Sequence, residues 1–204
     1  MNSQVTAADL SETEGSALGR PRSGEADAAI AAAAVELFAE RGFEGVSIEA
    51  VAARAGVARS TVYRRYSGKA ELLASAMRLL AQEISDVPDT GSLVDDLHAV
   101  VTRLDRVILC SDLGRAIPAT LVAAERHDEF ARLHREFVLD KRELSLAVVR
   151  RGIARGEVAA GTDPEAMIDV VVGPLFYRRL ISHGPVDDAW RRALVERAVR
   201  AFAP

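Results

Sequence analysis

The feature that constrains this chain most is a pair of short helical patterns joined by a glycine, between residues 47 and 66. After Ser47, which can cap a helix, apolar residues recur at the spacing of one helix face: Ile48, Val51, Ala52 and Ala55. Gly56 then supplies the left-handed turn that ends this helix, and Val57 can pack inward as the next one begins. Helix, short glycine turn and second helix together predict a helix-turn-helix.

The second of these helices carries a basic face in an acidic protein. Residues 54–69 include five basic and no acidic side chains, so this window is +5 in a chain of formal charge −4, which leaves −9 elsewhere. Helical spacing places Val62 and Tyr66 on one side and the polar set on the other: Arg59, Ser60, Tyr63 and Arg64. Guanidinium, hydroxyl and phenol groups suit phosphate oxygens and base edges, so DNA contact is favoured over a merely solvated basic face.

The spacing of these residues resembles the DNA-binding domain of the tetracycline-repressor (TetR) family. The matching positions are Leu37-Phe38, Gly42-Phe43, Ser47-Ile48, Ala55-Gly56-Val57, Thr61-Val62-Tyr63, Tyr66, Lys69 and Leu72. The resemblance implies DNA contact by Ser47, Arg59, Ser60, Thr61, Tyr63, Arg64, Arg65 and Lys69, with Ser47, Tyr63, Arg65 and Lys69 on phosphates and Arg59, Ser60 and Arg64 facing bases. The chain departs from the family pattern at Ala58, where a capping Ser or Thr is usual, and at Arg65 and Tyr66.

The rest of the chain also has helical periodicity and lacks a strand signal. With 204 residues, 49% of them hydrophobic and only 5% aromatic, it can bury the core of one or two helical domains. We predict an all-α fold of about nine helices. A disordered tail (1–23) precedes a three-helix DNA-binding domain (24–70) and a ligand-binding and dimerisation domain (71–204). The tail's Arg20 and Arg22 either reach the minor groove or touch nothing.

The predicted eighth helix is apolar almost all round between residues 167 and 176, which indicates burial on two sides. The resemblance implies that this helix and the ninth meet their copies in a homodimer. The candidate interface residues are Ile168, Val171, Val172, Leu175, Trp190, Leu194 and Ala198. The alternative is that both helices belong to the core of one protomer.

A small-molecule pocket between the body helices is also implied by the resemblance. Gly173-Pro174 interrupts the eighth helix, since a proline inside a helix removes a backbone hydrogen bond. The candidate pocket residues are Leu104, Ile108, Cys110, Leu121, Phe137, Phe176 and Tyr177, and each of them can instead be ordinary core.

The sequence contains no motif that supports another class of function. No nucleophile elbow, phosphate-binding glycine loop, dinucleotide fingerprint or metal-ligand set is present, so we expect neither an enzyme nor a cofactor or metal. The single cysteine and the lack of a membrane span predict a cytoplasmic protein. We therefore predict a ligand-responsive transcriptional regulator, a repressor that binds a palindromic operator as a dimer and is released by a small-molecule effector. The alternative is an architectural DNA-binding protein without ligand control.

Overall fold

The computed structural model describes residues 21–81 and 88–204, without the side chains of 21–23 and 107–108. These residues form ten α-helices and no strand, which confirms the all-α prediction. The helices are α1 (Pro21–Arg41), α2 (Ile48–Arg54), α3 (Arg59–Tyr63), α4 (Lys69–Leu80), α5 (Leu93–Leu104), α6 (Asp112–Arg115), α7 (Ile117–Arg126), α8 (Asp128–Ala154), α9 (Pro164–Phe176) and α10 (Asp188–Ala201). None of the helices in these two ranges is long and apolar enough to cross a membrane.

The helices differ from the prediction at three places. A one-turn helix, α6, precedes α7 and accounts for the tenth helix. Both α5 and α9 continue into a wider π-helical turn, at Asp105–Leu109 and Tyr177–Ile181 respectively. The last three residues of the predicted tail open α1, where proline is favoured at the first helical position because it has no N–H to leave unpaired. Residues 1–20 of that tail lie outside the described residues.

The first of two apolar cores is shared between the helix-turn-helix and the body. It joins buried side chains of α1 to α3 with others from α4, α6, α7 and the first half of α8. Phe38 of α1 meets Phe130 of α8 edge to face, with ring centroids 5.6 Å apart, and both are fully buried. Within this core α4 packs along α1, so α4 is in direct contact with the helix-turn-helix.

The second core fills the opposite end of the body. It is formed by α5, the second half of α8, α9 and α10, with Leu97, Val149 and Val171 among its fully buried residues. The 27-residue α8, about 40 Å long, runs through both cores. It therefore connects the two ends of the body.

One buried carboxylate ties three distant segments together. Asp105, only 3% exposed, accepts hydrogen bonds from Arg179 Nε (2.6 Å) and Nη2 (2.8 Å) and from Arg191 Nη1 (2.9 Å). These contacts join the two π-helical turns to each other and to α10. Removal of either arginine leaves a buried charge less well compensated, which is costly.

Candidate DNA-binding face and ligand cavity

The turn between α2 and α3 has the geometry that the sequence predicts. Ser47 caps α2, its Oγ accepting from the Ala50 N–H at 3.1 Å. Gly56 has a φ of +67°, and the Val57 N–H reaches back to the Ala52 carbonyl at 3.0 Å. These bonds fix the direction in which α3 leaves the turn.

The short helix α3 has one buried and one exposed face. Val62 is fully buried, whereas the whole polar front is exposed: Arg59, Ser60, Tyr63 and Arg64. The front and back that the helical spacing predicts are therefore confirmed. Ala58, at the N-cap, makes no side-chain cap, so the α3 amides receive no capping bond there.

Two arginines of the basic island, the window of residues 54–69, form ion pairs within the fold. Arg54 makes a bidentate pair with Glu40, at 2.8 and 3.0 Å, which lowers the pKa of that carboxyl. Arg65 donates to Asp27 of α1 at 2.6 Å and to the Thr61 carbonyl at 3.1 Å. Arg65 is predicted to grip a phosphate, and in the protein alone its guanidinium links the end of α3 to Asp27 of α1.

The arginines on the front of α3 are not engaged in this way. The side chains of Arg59 and Arg64 form no hydrogen bond or ion pair with any residue that the structure describes, although the Arg59 charge helps to lower the pKa of Glu49. Between them, the Tyr63 phenol donates to Glu49 at 2.7 Å, a bond that raises the pKa of Tyr63. The free positive charge of the helix-turn-helix is thus concentrated on the exposed front of α3.

Lys69, at the start of α4, belongs to a junction between the helix-turn-helix and the body. Its Nζ lies 3.6 Å from Glu44 Oε2 and 4.4 Å from the centre of the Phe43 ring. On the other side, His127 Nε2 lies 3.2 Å from Glu44 Oε1, and the His127 and Phe43 rings stack at 4.0 Å. Since His127 stands between α7 and α8, the α1–α2 loop contacts both the body and a predicted phosphate-binding residue.

The body contains an apolar cavity of about 270 Å³ between α4, α5, α7, α8 and α9. Four of the seven predicted pocket residues line it: Leu104, Leu121, Phe137 and Phe176. The side chain of Ile108 lies outside the described residues. The volume lies near the lower end of the range found for small-molecule sites.

Two of the predicted pocket residues are placed elsewhere. Cys110 is exposed, with its Sγ 3.7 Å from Asp105 Oδ1, and Tyr177 is 61% exposed. Neither is among the residues that line the cavity. Both lie at the π-helical turns that follow α5 and α9.

Sequence reasoning also missed several polar residues that line the cavity: Arg103, Thr120, His134, Lys141, Arg142 and Ser145. A search restricted to apolar side chains excludes them. The signal was present in α8, because positions 134, 137, 141 and 144 follow the spacing of a single helix face.

The predicted dimer interface needs the largest correction. The structure buries four of its seven residues inside one protomer, at 3% exposure or less, so these cannot contact a second chain: Ile168, Val171, Leu175 and Ala198. The other three are half-buried: Val172, Trp190 and Leu194. A helix that is apolar all round does not reveal which side faces its own core. The exposed side of α9 and its π-helical turn carries Val170, Tyr177 and Ile181 instead.

An exposed recognition helix with free arginines, positioned by a capped helix and a glycine turn, defines a helix-turn-helix DNA-binding protein. Two family descriptions match the chain: "Bacterial regulatory proteins, tetR family" over residues 30–83 and "Tetracyclin repressor-like, C-terminal domain" over residues 87–198. The chain belongs to the TetR family of transcriptional regulators.

Individual relatives agree with this assignment. The chain is 35% identical over 183 residues to the uncharacterized HTH-type transcriptional regulator YdeS of Bacillus subtilis, covering 89% of this chain and 92% of YdeS. It is 33% identical over 176 residues to a DNA-binding transcriptional repressor, TetR, of Mycobacteroides abscessus, covering 83% and 89%. The crystal structure of FadR from Bacillus subtilis in complex with stearoyl-CoA shares the fold, with a TM-score of 0.71 and 21% identity over 84% of this chain and 96% of FadR.

Proposed function

We propose that this regulator is a ligand-responsive repressor that binds a near-palindromic operator as a homodimer, through α3 of each protomer. The observation that carries this proposal is the exposed front of α3. There the side chains of Arg59 and Arg64 form no hydrogen bond or ion pair with the described residues. In the major groove these arginines, with Ser60, face base edges, where a guanidinium pairs bidentately with guanine.

Phosphate contacts on either side of α3 fix its position in the groove. The Ser47 oxygen accepts from the Ala50 N–H, and its O–H, which helps to lower the pKa of Glu49, exchanges that carboxylate for a phosphate oxygen on binding. The Tyr63 phenol, whose pKa is raised by its hydrogen bond to Glu49, exchanges Glu49 for a phosphate oxygen on binding. Lys69 likewise leaves its ion pair with Glu44 and pairs with a phosphate oxygen. We assign Arg65 to holding the end of α3 on α1 through Asp27 rather than to DNA contact. Thr61 remains a predicted DNA contact.

A second copy of the chain covers the exposed side of α9 and its π-helical turn in this proposal. Val170, Tyr177 and Ile181 are 45%, 61% and 66% exposed, and all three lie on α9 and the π-helical turn that continues it. Exposed apolar side chains grouped in this way mark an interaction surface. A dimer is also what recognition of two half-sites one helical turn of DNA apart requires.

The cavity is the effector site in this proposal, and α4 carries its state to the DNA. Met77 of α4 lines the cavity, while Lys69 lies at the other end of the same helix, about 12 Å away along its axis. An effector releases DNA if it binds better to a conformation in which α4 has moved and the two α3 helices no longer match the half-site spacing. FadR, crystallised with stearoyl-CoA, is a neighbour in fold whose structure contains a ligand.

Selection from a pool of random duplexes tests the DNA-binding part of the proposal. We expect the protein to enrich two inverted half-sites, and ultracentrifugation to find protomers on the selected duplex in pairs. The Arg59→Ala/Arg64→Ala double variant, folded as judged by its circular dichroism, should enrich nothing. Enrichment of a single half-site held by one protomer, or equal enrichment by the double variant, would contradict the proposal.

A further inference from the structure

The charges around the cavity are all of one sign. Its lining is mostly apolar, but three basic side chains contribute to it, Arg103, Lys141 and Arg142, and no aspartate or glutamate is among the described residues that line it. An apolar effector without charge would need no such groups. The charged side chains of the lining are therefore all positive, which favours a ligand with a negatively charged group.

Carboxylates do not compensate the positive charges of these basic groups equally. Arg142 is paired with Glu165 and lies 2.8 Å from Asp169, so its charge is compensated. Lys141 makes no ion pair or hydrogen bond with any residue in the described parts of the chain. Lys141 is half-buried beside an apolar wall, so an anion bound in the cavity would find an ammonium that has no counter-ion among the described residues.

The position of Lys141 also indicates how such an anion would be oriented. Lys141 follows Val138 by one turn of α8, and both Val138 and Leu121 of α7 line the cavity while remaining exposed to solvent. The mouth of the cavity is thus between α7 and α8, beside Lys141. Phe137 and Ile168, which are buried, lie deeper.

We propose that the effector is an amphiphile with an apolar body and an anionic end group, the anion paired with Lys141 at the mouth and the body directed inward. This rests on the proposed role of the cavity as the effector site. A carboxylate near the mouth remains partly hydrated, which limits the cost of taking it out of water. The apolar body gains from burial against the inner wall.

Titration calorimetry with three eight-carbon probes tests the proposal: octanoate, 1-octanol and octyltrimethylammonium. Octanoate should bind wild-type protein about tenfold or more tightly than octanol, because a hydrogen bond to a charged group contributes about that factor. The cation should bind most weakly. Lys141→Met should remove the preference for octanoate, and Lys141→Arg should retain it.

A matched control removes the same charge from the same helix outside the cavity. Arg135 of α8 is exposed and does not line the cavity, so Arg135→Met should leave the affinity ratio of octanoate to octanol unchanged. Lys141→Gln provides a second neutral variant if Lys141→Met does not fold, and the comparison of probes on wild-type protein needs no variant.

Several results would overturn the inference: octanol binding as tightly as octanoate, the cation binding most tightly, none of the three binding, or the preference surviving loss of the Lys141 charge. The proposed function is tested separately by operator affinity in the presence of octanoate. If octanoate binds through Lys141 and operator affinity does not change, the ligand class is right and the control of DNA binding by the cavity is wrong.

Discussion

The comparison of Arg59→Ala with Arg54→Ala separates a recognition role from a structural one within a single basic island. Both changes remove one guanidinium from the same helix-turn-helix. Arg59 is exposed on α3 without a partner among the described residues, whereas Arg54 is held by Glu40 and lies 3.7 Å from Glu36. We expect only the first change to weaken operator binding strongly.

The magnitude follows from the number of contacts that each change removes. A bidentate arginine–guanine contact discriminates by about 1–3 kcal/mol, and a dimer would lose two of them, which gives about 2–6 kcal/mol for Arg59→Ala. At 1.4 kcal/mol per factor of ten, this corresponds to an affinity loss of about 30-fold to 10⁴-fold. Arg54 is already offset by carboxylates, so Arg54→Ala should change affinity by no more than about threefold. Arg54→Ala should lower the free energy of unfolding only slightly, as for other exposed ion pairs.

Fluorescence anisotropy measures both affinities, on the selected operator and on a scrambled duplex of the same length at fixed salt. Arg59→Ala should lose its preference for the operator while retaining most of its binding to the scrambled duplex, which depends chiefly on phosphates. Denaturant unfolding of each variant controls for loss of fold. Equal losses for the two variants on both duplexes would refute the assignment of the front of α3 to base recognition.

Three further predictions concern assembly, pH and stability. Val170→Asp should give folded monomers in ultracentrifugation, whereas Val171→Asp should unfold the protomer in thermal melts, because Val171 is fully buried and an unpaired charge there is costly. A melt of Val171→Asp that matched wild type would contradict the core assignment. Burial lowers the pKa of His134 below its unfolded value of 6.5, so the unfolded state binds the extra proton first as the pH falls. The free energy of unfolding should therefore decrease below about pH 6.5, less so in His134→Phe, and identical pH profiles would show that His134 is not responsible. Ala58→Ser should raise the free energy of unfolding by about 1 kcal/mol by supplying the missing cap of α3, and no gain in a denaturant titration would contradict this.

Local features of the DNA-binding face could be predicted from the sequence because they depend on neighbours along the chain. Gly56 adopts the left-handed conformation that only a residue without a Cβ reaches easily, and Ser47 caps the helix that it precedes. The buried Val62 and the exposed Arg59 and Arg64 follow from the 3.6-residue period alone.

Partners distant in sequence could not be predicted in this way. Arg65, which follows α3, pairs with Asp27 of α1, 38 positions earlier, a contact that no spacing along the chain predicts. The same holds for Asp105 and Arg179, which are 74 positions apart and are brought together where two π-helical turns meet. No spacing rule for regular helices anticipates a π-helical turn.

The orientation of α9 could not be predicted from the sequence, for a different reason. Its apolar residues occur on every side, so hydrophobicity cannot distinguish the side that packs in the protomer from the side left exposed. Once the fold is known, burial makes the distinction: Val171 and Leu175 are enclosed, and Val170 is not.

The central claim, that the cavity and the recognition helix are energetically coupled, is tested most directly by measuring both affinities of one protein with and without the other partner. Octanoate, or a tighter compound selected by thermal stabilisation, is titrated by calorimetry into the free protein and into its operator complex. Linkage requires operator DNA to weaken ligand binding by the same factor by which the ligand weakens operator binding. We predict equal factors of at least fivefold, within the usual range of about 1–3 kcal/mol for allosteric coupling. A ligand that binds in the cavity, as shown by loss of binding in Lys141→Met, and that leaves operator affinity unchanged would contradict the coupling and favour a DNA-binding protein without ligand control.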